Sequence, residues 1–138
     1  MSLDECGVMA LDVGDARIGV AVSESRVIAT PFPAINRREG RKATLNALQA
    51  IADQYEVRIA VLGMPLLESG DEGEQAEKTR AFGRSLQRRL PALQIEFRDE
   101  RYTSADAKDI LGPGPHEKGR VDSVAAAVIL QAYLDEEK

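Results

Sequence analysis

Val8-Met9-Ala10-Leu11-Asp12-Val13-Gly14-Asp15-Ala16-Arg17-Ile18-Gly19-Val20-Ala21-Val22-Ser23 is the stretch that decides the fold. Residues 8–12 are an apolar run that closes on an acid, Gly14-Asp15 supplies a turn, and between Arg17 and Ser23 the larger Ile18, Val20 and Val22 alternate with smaller or polar neighbours. Alternation of period two on either side of a Gly/Asp turn predicts a β-hairpin. Asp12 then ends a buried, central strand, where an ionised carboxylate is costly unless a cation or hydrogen-bond donors attend it. A plainer role, capping the turn through the amides near Gly14, suits the same residue.

Outward from the hairpin, a third extended piece is expected near Val27–Phe32, limited by Pro31 and Pro33, which suit an edge strand or its exit. Leu45, Leu48, Ile51 and Ala52 recur at helical spacing, predicting a helix over 41–54. Arg58–Leu62 is a short aliphatic strand that Gly63-Met64-Pro65 ends abruptly. A loop over 66–74 leads into a long helix with Ala76, Phe82 and Leu86 inward, stopped by Pro91. Gln94–Arg98 alternates again as a fifth strand, and Thr103–Leu111 is a short helix with Thr103 or Ser104 as its N-cap. From Val121 a final helix presents Val124, Ala125, Val128, Ile129 and Ala132. A hairpin followed by strand–helix crossovers predicts an α/β fold: one five-stranded mixed sheet flanked by helices, within a single domain, 1–138. Sites collect at the ends of central strands in such sheets.

Composition narrows the chemistry. Eighteen basic against 23 acidic residues give a net charge of −5, so nucleic acid, if bound, must be held by local patches such as Arg37, Arg38, Arg41 and Lys42, or Arg84, Arg88 and Arg89. Either cluster also reads as a solvated helix face. One histidine, His116, expected in an exposed loop, and one distant cysteine, Cys6, leave almost no raw material for a zinc site or for Cys/His or Ser/His catalysis. A lone cysteine and no signal-type N-terminus set a cytoplasmic expectation. The longest strongly apolar run, 124–130, falls well short of the roughly 20 residues a membrane helix needs.

Carboxylates remain. Asp12 ends the first strand, Glu100 follows the fifth, and Asp122 opens the last helix. Singly, each has an ordinary explanation: a turn cap, a surface ion pair with Arg98 or Arg101, a helix-dipole partner. Yet Asp122 shares a stripe with Ala125, Ala126 and Ile129, which can turn it toward the sheet. Two strand ends and a helix start can converge at one sheet edge. Three carboxylates so gathered stay ionised with hard divalent cations between them, and oxygen-only ligands suit Mg²⁺ or Mn²⁺. The chemistry that follows is phosphodiester hydrolysis by paired ions, with Arg17, Arg101 or Arg120 set against the developing phosphorane charge or held in structural salt bridges.

Five motifs in order, Leu11-Asp12-Val13-Gly14, Arg17-Ile18-Gly19-Val20-Ala21, Gly63-Met64-Pro65-Leu66, Asp99-Glu100-Arg101-Tyr102-Thr103-Ser104-Ala105 and Val121-Asp122-Ser123-Val124-Ala125-Ala126, resemble the YqgF/RuvX family over nearly the whole chain. The resemblance implies an RNase H-like fold and a nuclease that matures the 5′ end of pre-16S ribosomal RNA; older descriptions of the family are of Holliday-junction resolvases. It places catalytic, metal-binding acids on Asp12, Glu100 and Asp122, and brings Arg17, Arg101 and the Gly63–Pro65 turn to the border of the cleft. The connection Gly112–Gly119 is shorter and less basic than in relatives, leaving His116, Lys118 and Arg120 there.

The expected substrate-binding residues are thus Arg17, Arg41, Lys42, Arg101, Lys118 and Arg120. The expected partner is nucleic acid, as pre-rRNA or as structured or single-stranded DNA, without a membrane and with a homodimer as an admissible assembly. Two other classes compete. Asp12-Val13-Gly14 also looks like the phosphate-binding start of actin-like and sugar-kinase ATPases, which length opposes because those close nucleotide between two such domains. A non-catalytic assembly factor would keep the fold without turnover.

Overall fold

β1 (Gly7–Val13) and β2 (Arg17–Ser23) form the expected hairpin, in antiparallel register from Val8 opposite Ser23 to Val13 opposite Ile18. Gly14 N–H donates to the Arg17 carbonyl at 2.9 Å and closes the turn. The computed structural model describes residues 5–100 and 103–136, the side chains of 103–105 apart. The Thr103 or Ser104 cap and the Arg101 side chain therefore lie outside the described residues.

β3 (Thr30–Asn36), β4 (Val57–Met64) and β5 (Gln94–Asp99) complete a five-stranded sheet in the order β3-β2-β1-β4-β5, with β3 antiparallel to β2, β4 parallel to β1 and β5 parallel to β4. α1 (Arg41–Gln54) and α2 (Glu74–Arg89) carry the crossovers; α3 (Thr103–Leu111) and α4 (Lys118–Glu136) follow β5.

Alternation along the strands sorts two cores. Met9, Leu11 and Val13 join Ile18, Val20, Leu62, Leu48, Phe82 and Leu86 under α1 and α2, while Val8, Ala10, Ala21, Ile59 and Val61 pack under Ile129, Leu130, Tyr133 and Leu134 of α4. β1 is thus buried on both faces, which explains its near-continuous apolar run. By the same alternation Asp12 belongs to the α4 side. Among the described residues no helix is long and apolar enough to cross a membrane.

Three boundaries differ from expectation. The third strand starts at Thr30, because the Ser25 hydroxyl accepts the Val27 and Ile28 amides at 3.1 and 3.3 Å and holds these β-branched residues in an exposed turn. Pro31 and Pro33 lie inside this edge strand, where a missing N–H costs no ladder bond. β4 does not end at Leu62 but continues through Gly63 opposite Arg98 and Met64 opposite Asp99. α4 begins at Lys118 rather than Val121, since the Glu117 carbonyl accepts the amides of Arg120 and Val121. Asp122 is consequently its fifth residue, one turn in, and not a dipole partner at the helix start.

Candidate active site

Asp12, Glu100 and Asp122 lie at one end of the sheet, on its α4 face. Asp12 stands at the C-terminal end of β1. Gly19 is its partner on β2, and on the other side Gly63 follows Leu62 as Asp12 follows Leu11, the pair opposite each other in β4 and β1. These two glycines clear the floor around Asp12. A Cβ on Gly19 would collide with the Asp122 backbone carbonyl and come within 3.0 Å of Asp122 Cβ. One on Gly63 would lie 2.6 Å from Ile129 Cδ1 and 2.9 Å from Glu100 Oε2. Only side-chain-free positions let α4 and the Glu100 carboxyl approach the central strand so closely.

Glu100 is tied down by its own backbone: its N–H donates to the Met64 carbonyl at 3.1 Å, extending the β4–β5 ladder past the last strand residue. Its side chain meets Asp12. Burial chiefly, then the Asp12 charge, the hydrogen bond to Asp12 and the Asp99 charge push the Glu100 carboxyl up to about 9. Asp12 is also raised, by burial above all and by the Asp122 charge, against the lowering effect of its bond from Glu100. The two acids titrate as a pair that shares one proton at neutral pH through the hydrogen bond between them.

Asp122 is turned differently. Arg17 Nε donates to its Oδ2 at 2.8 Å, a pair with the side chains 33% and 26% exposed. Within the described residues no three carboxylate, imidazole or thiol groups converge tightly enough to form a cage for one ion. The arrangement is a proton-sharing pair, Asp12 and Glu100, beside a third acid close enough to raise Asp12 and held by Arg17. Oxygen-only donors and an excess of negative charge that a proton now relieves are the features a hard divalent cation suits, with the ion replacing the proton.

The basic residues divide. Arg17, Lys118 and Arg120 lie toward the start of α4 on the acids' side, with Lys118 and Arg120 exposed. Arg41 and Lys42 open α1 on the other face of the sheet, both exposed, and Arg41 lines a cleft with Asp15, Arg37 and Lys78. Arg37 has structural work: its Nη1 donates to the Gly14 carbonyl at 2.7 Å and its guanidinium stacks 5.2 Å from the Phe82 ring centroid. Arg88 and Arg89 are engaged along the helices, on Ser85 and on Gln49 and Asn46. His116, expected exposed, is half-buried because its Nε2 donates to the Gly112 carbonyl at 2.9 Å. The roles of Gly19 and Gly63 were missed by sequence reasoning; the signal was a glycine inside each of two otherwise aliphatic strands.

A family model described as RuvX, Holliday junction resolvase, matches residues 7–136. A protein of Salinibacter ruber named "Putative pre-16S rRNA nuclease" is 39% identical over 138 residues, covering 95% of this chain and 94% of that one. Proteins of the same name are 38% identical in Roseiflexus sp., over the whole of both chains, and 45% identical in Ruegeria pomeroyi, over 91% and 83%. Among solved structures, T. thermophilus RuvC in complex with Holliday junction substrate superposes with a TM-score of 0.55 at 13% identity, covering 96% of this chain and 95% of that one. That likeness is one of fold, RNase H-like.

Proposed function

The chain belongs to the RuvX family, and from that premise we propose that it is a metal-dependent nuclease that hydrolyses phosphodiester bonds of structured RNA and matures the 5′ end of pre-16S rRNA. One observation carries the reading: the Asp12 and Glu100 carboxyls meet in a hydrogen bond, largely buried, where Gly19 and Gly63 let Asp122 and Glu100 close on the central strand, and burial and mutual charge push both carboxyls up. Such strain is costly to a fold that has no use for it. A divalent cation is its natural relief.

Asp12 and Glu100 would hold Mg²⁺ or Mn²⁺, with Asp122 as a further oxygen donor. A divalent cation held there would supply a water of lowered pKa and charge neutralisation at the leaving oxygen. The chain's own residues do the rest. Glu100 would give up its proton to solvent on loading of the site, so that both carboxylates could act as anions. Gly19 and Gly63, by letting α4 and the Glu100 carboxyl close in on the central strand, hold Asp122 and Glu100 beside Asp12. Arg17, fixed by Asp122, presents its remaining guanidinium N–H groups at the mouth of the site, where the charge of a pentacovalent phosphorus would be felt. Lys118 and Arg120 extend that positive border, and Arg41 and Lys42 offer a separate patch for flanking phosphates.

A second reading, cleavage of branched DNA, is favoured by the description of the matching family model. Purified protein incubated with end-labelled precursor rRNA, single-stranded DNA and a four-way junction, each with Mg²⁺, Mn²⁺ or chelator, separates them. Metal-dependent cutting of the precursor RNA at its 5′ side is expected. Cutting of the junction alone would transfer the function to DNA, and stable binding of all three without cutting would make the protein an assembly factor.

A further inference from the structure

Beside the acids, between edge strand β3 and the first turns of α4, lies an open groove of about 640 Å³, within the range that holds small ligands. It begins at Arg17 and is walled on one side by Pro31, Phe32 and Pro33 and on the other by Glu117, Arg120 and Ser123. Its shape has a backbone cause. β2 and β3 lose register between Ile18 and Val20, whose partners are Ile35 and Phe32, so that Pro33 and Ala34 bulge where Gly19 has no partner in β3. Gly119 fits against that bulge, its missing Cβ 3.3 Å from Ala34 Cβ and 3.9 Å from Arg17 Cδ.

Two features are unspent. The Ser123 hydroxyl is buried, its residue 4% exposed, and has no hydrogen-bond partner, a state that polar groups in folded proteins rarely keep. Arg120 is exposed on the groove's rim, and its side chain makes no hydrogen bond or ion pair among the described residues. Asn36 spends its carbonyl on the Arg38 amide at 2.8 Å, and its NH₂ remains to donate. The groove therefore joins a wall that carries Pro31 and Pro33, a guanidinium without a side-chain partner, a carboxylate that can accept from a hydroxyl, and an orphaned hydroxyl, while the Phe32 ring turns to the other face of the sheet, edge-on to Tyr55.

We propose that this groove holds the nucleotide flanking the cleaved phosphodiester, with its phosphate on Arg120, its base against Pro31 and Pro33, and its sugar toward Glu117 and Ser123. The assignment rests on the nuclease reading only for which bond is cut. The groove opens directly from Arg17, so a strand leaving the acids passes through it. A ribose 2′-hydroxyl supplies a partner of the kind Ser123 Oγ lacks.

The test uses full-length Asp12→Asn protein, so that substrate is bound and not consumed, and a single-stranded RNA carrying one 4-thiouridine beside the mapped cut. Irradiation is expected to crosslink it to peptides spanning 31–36 or 117–123. Arg120→Ala is expected to weaken binding about tenfold and reduce the salt slope by about one, and a single 2′-deoxy substitution at the flanking nucleotide about threefold. Crosslinks confined to the Arg37–Lys42 surface, with Arg120→Ala binding as tightly as its parent, would overturn the proposal while cleavage by the wild type left the nuclease reading standing. If the wild type cuts nothing, a strand with 4-thiouridine at every uridine replaces this probe, and its crosslinking at the groove would overturn the nuclease reading while keeping the groove as a nucleotide site. Unchanged affinity of the 2′-deoxy strand would overturn the sugar contact.

Discussion

Arg17 Nε donates to Asp122 Oδ2 at 2.8 Å, joining the first residue of β2 to the second turn of α4 across 105 positions of sequence. Since both side chains keep about a third or a quarter of their surface in water, the pair is worth little to the fold. Arg17→Met is expected to cost only about 1 kcal/mol in urea denaturation. A loss of several kcal/mol would mean that the bond anchors α4 rather than orienting two polar groups.

Gly19 and Gly63 make different demands. A methyl at Gly19 meets the Asp122 backbone carbonyl, which cannot yield unless α4 moves, whereas one at Gly63 meets the ends of the Ile129 and Glu100 side chains. Gly19→Ala is therefore expected to cost about 3 kcal/mol and Gly63→Ala about 1 kcal/mol, measured by denaturant midpoints, with metal-dependent cleavage lost in both. Equal and negligible costs would show that α4 rides loosely on the sheet.

The proton on Glu100 makes stability depend on pH in a definite direction. The folded chain keeps that proton to about pH 9, while unfolded Glu releases it near 4.5; the folded state binds more protons between the two, so stability in chelator falls as pH rises through that window. The raised Asp12 adds to the same slope. Thermal melts from pH 5 to 9 are expected to show the decline in the wild type and a flatter curve in Glu100→Gln. Parallel curves would remove the proton from this pair.

Loading of the site should then release protons. Calorimetric titration with Mn²⁺ at pH 7 in buffers of different ionisation enthalpy is expected to report release of about one proton per site, and affinity that climbs with pH toward 9. Binding without proton release would place the ion elsewhere.

Arg41 stands across the sheet from the acids. Arg41→Glu is expected to raise KM and flatten its salt dependence while kcat holds; a fall in kcat at unchanged KM would tie this patch to the chemistry instead.

Much of this was legible in the chain. The hairpin, the 41–54 helix and the placing of Asp12 and Glu100 at strand ends follow from alternation, helical period and turn residues, which are local signals. What was not legible depended on distant partners or on competing local bonds. Val27 and Ile28 have strand propensity, but the Ser25 hydroxyl captures their amides. Pro115 and the glycines before it hide a helix start that the Glu117 carbonyl sets three residues before Val121. Gly63 looked like a strand terminator, whereas β4 continues through it because the Glu100 carboxyl occupies the space a side chain would fill. The diversion of Asp122 to Arg17 has no local signature at all.

The most direct measurement is cleavage of labelled precursor rRNA by wild type and Asp12→Asn across a Mn²⁺ titration, with folding of the variant checked by its melt. Asparagine preserves size and removes the negative charge that both a cation and Glu100 address. The account predicts a folded variant whose cleavage rate is reduced at least about a hundredfold at every Mn²⁺ concentration; a folded variant that cuts at the wild-type rate would contradict it.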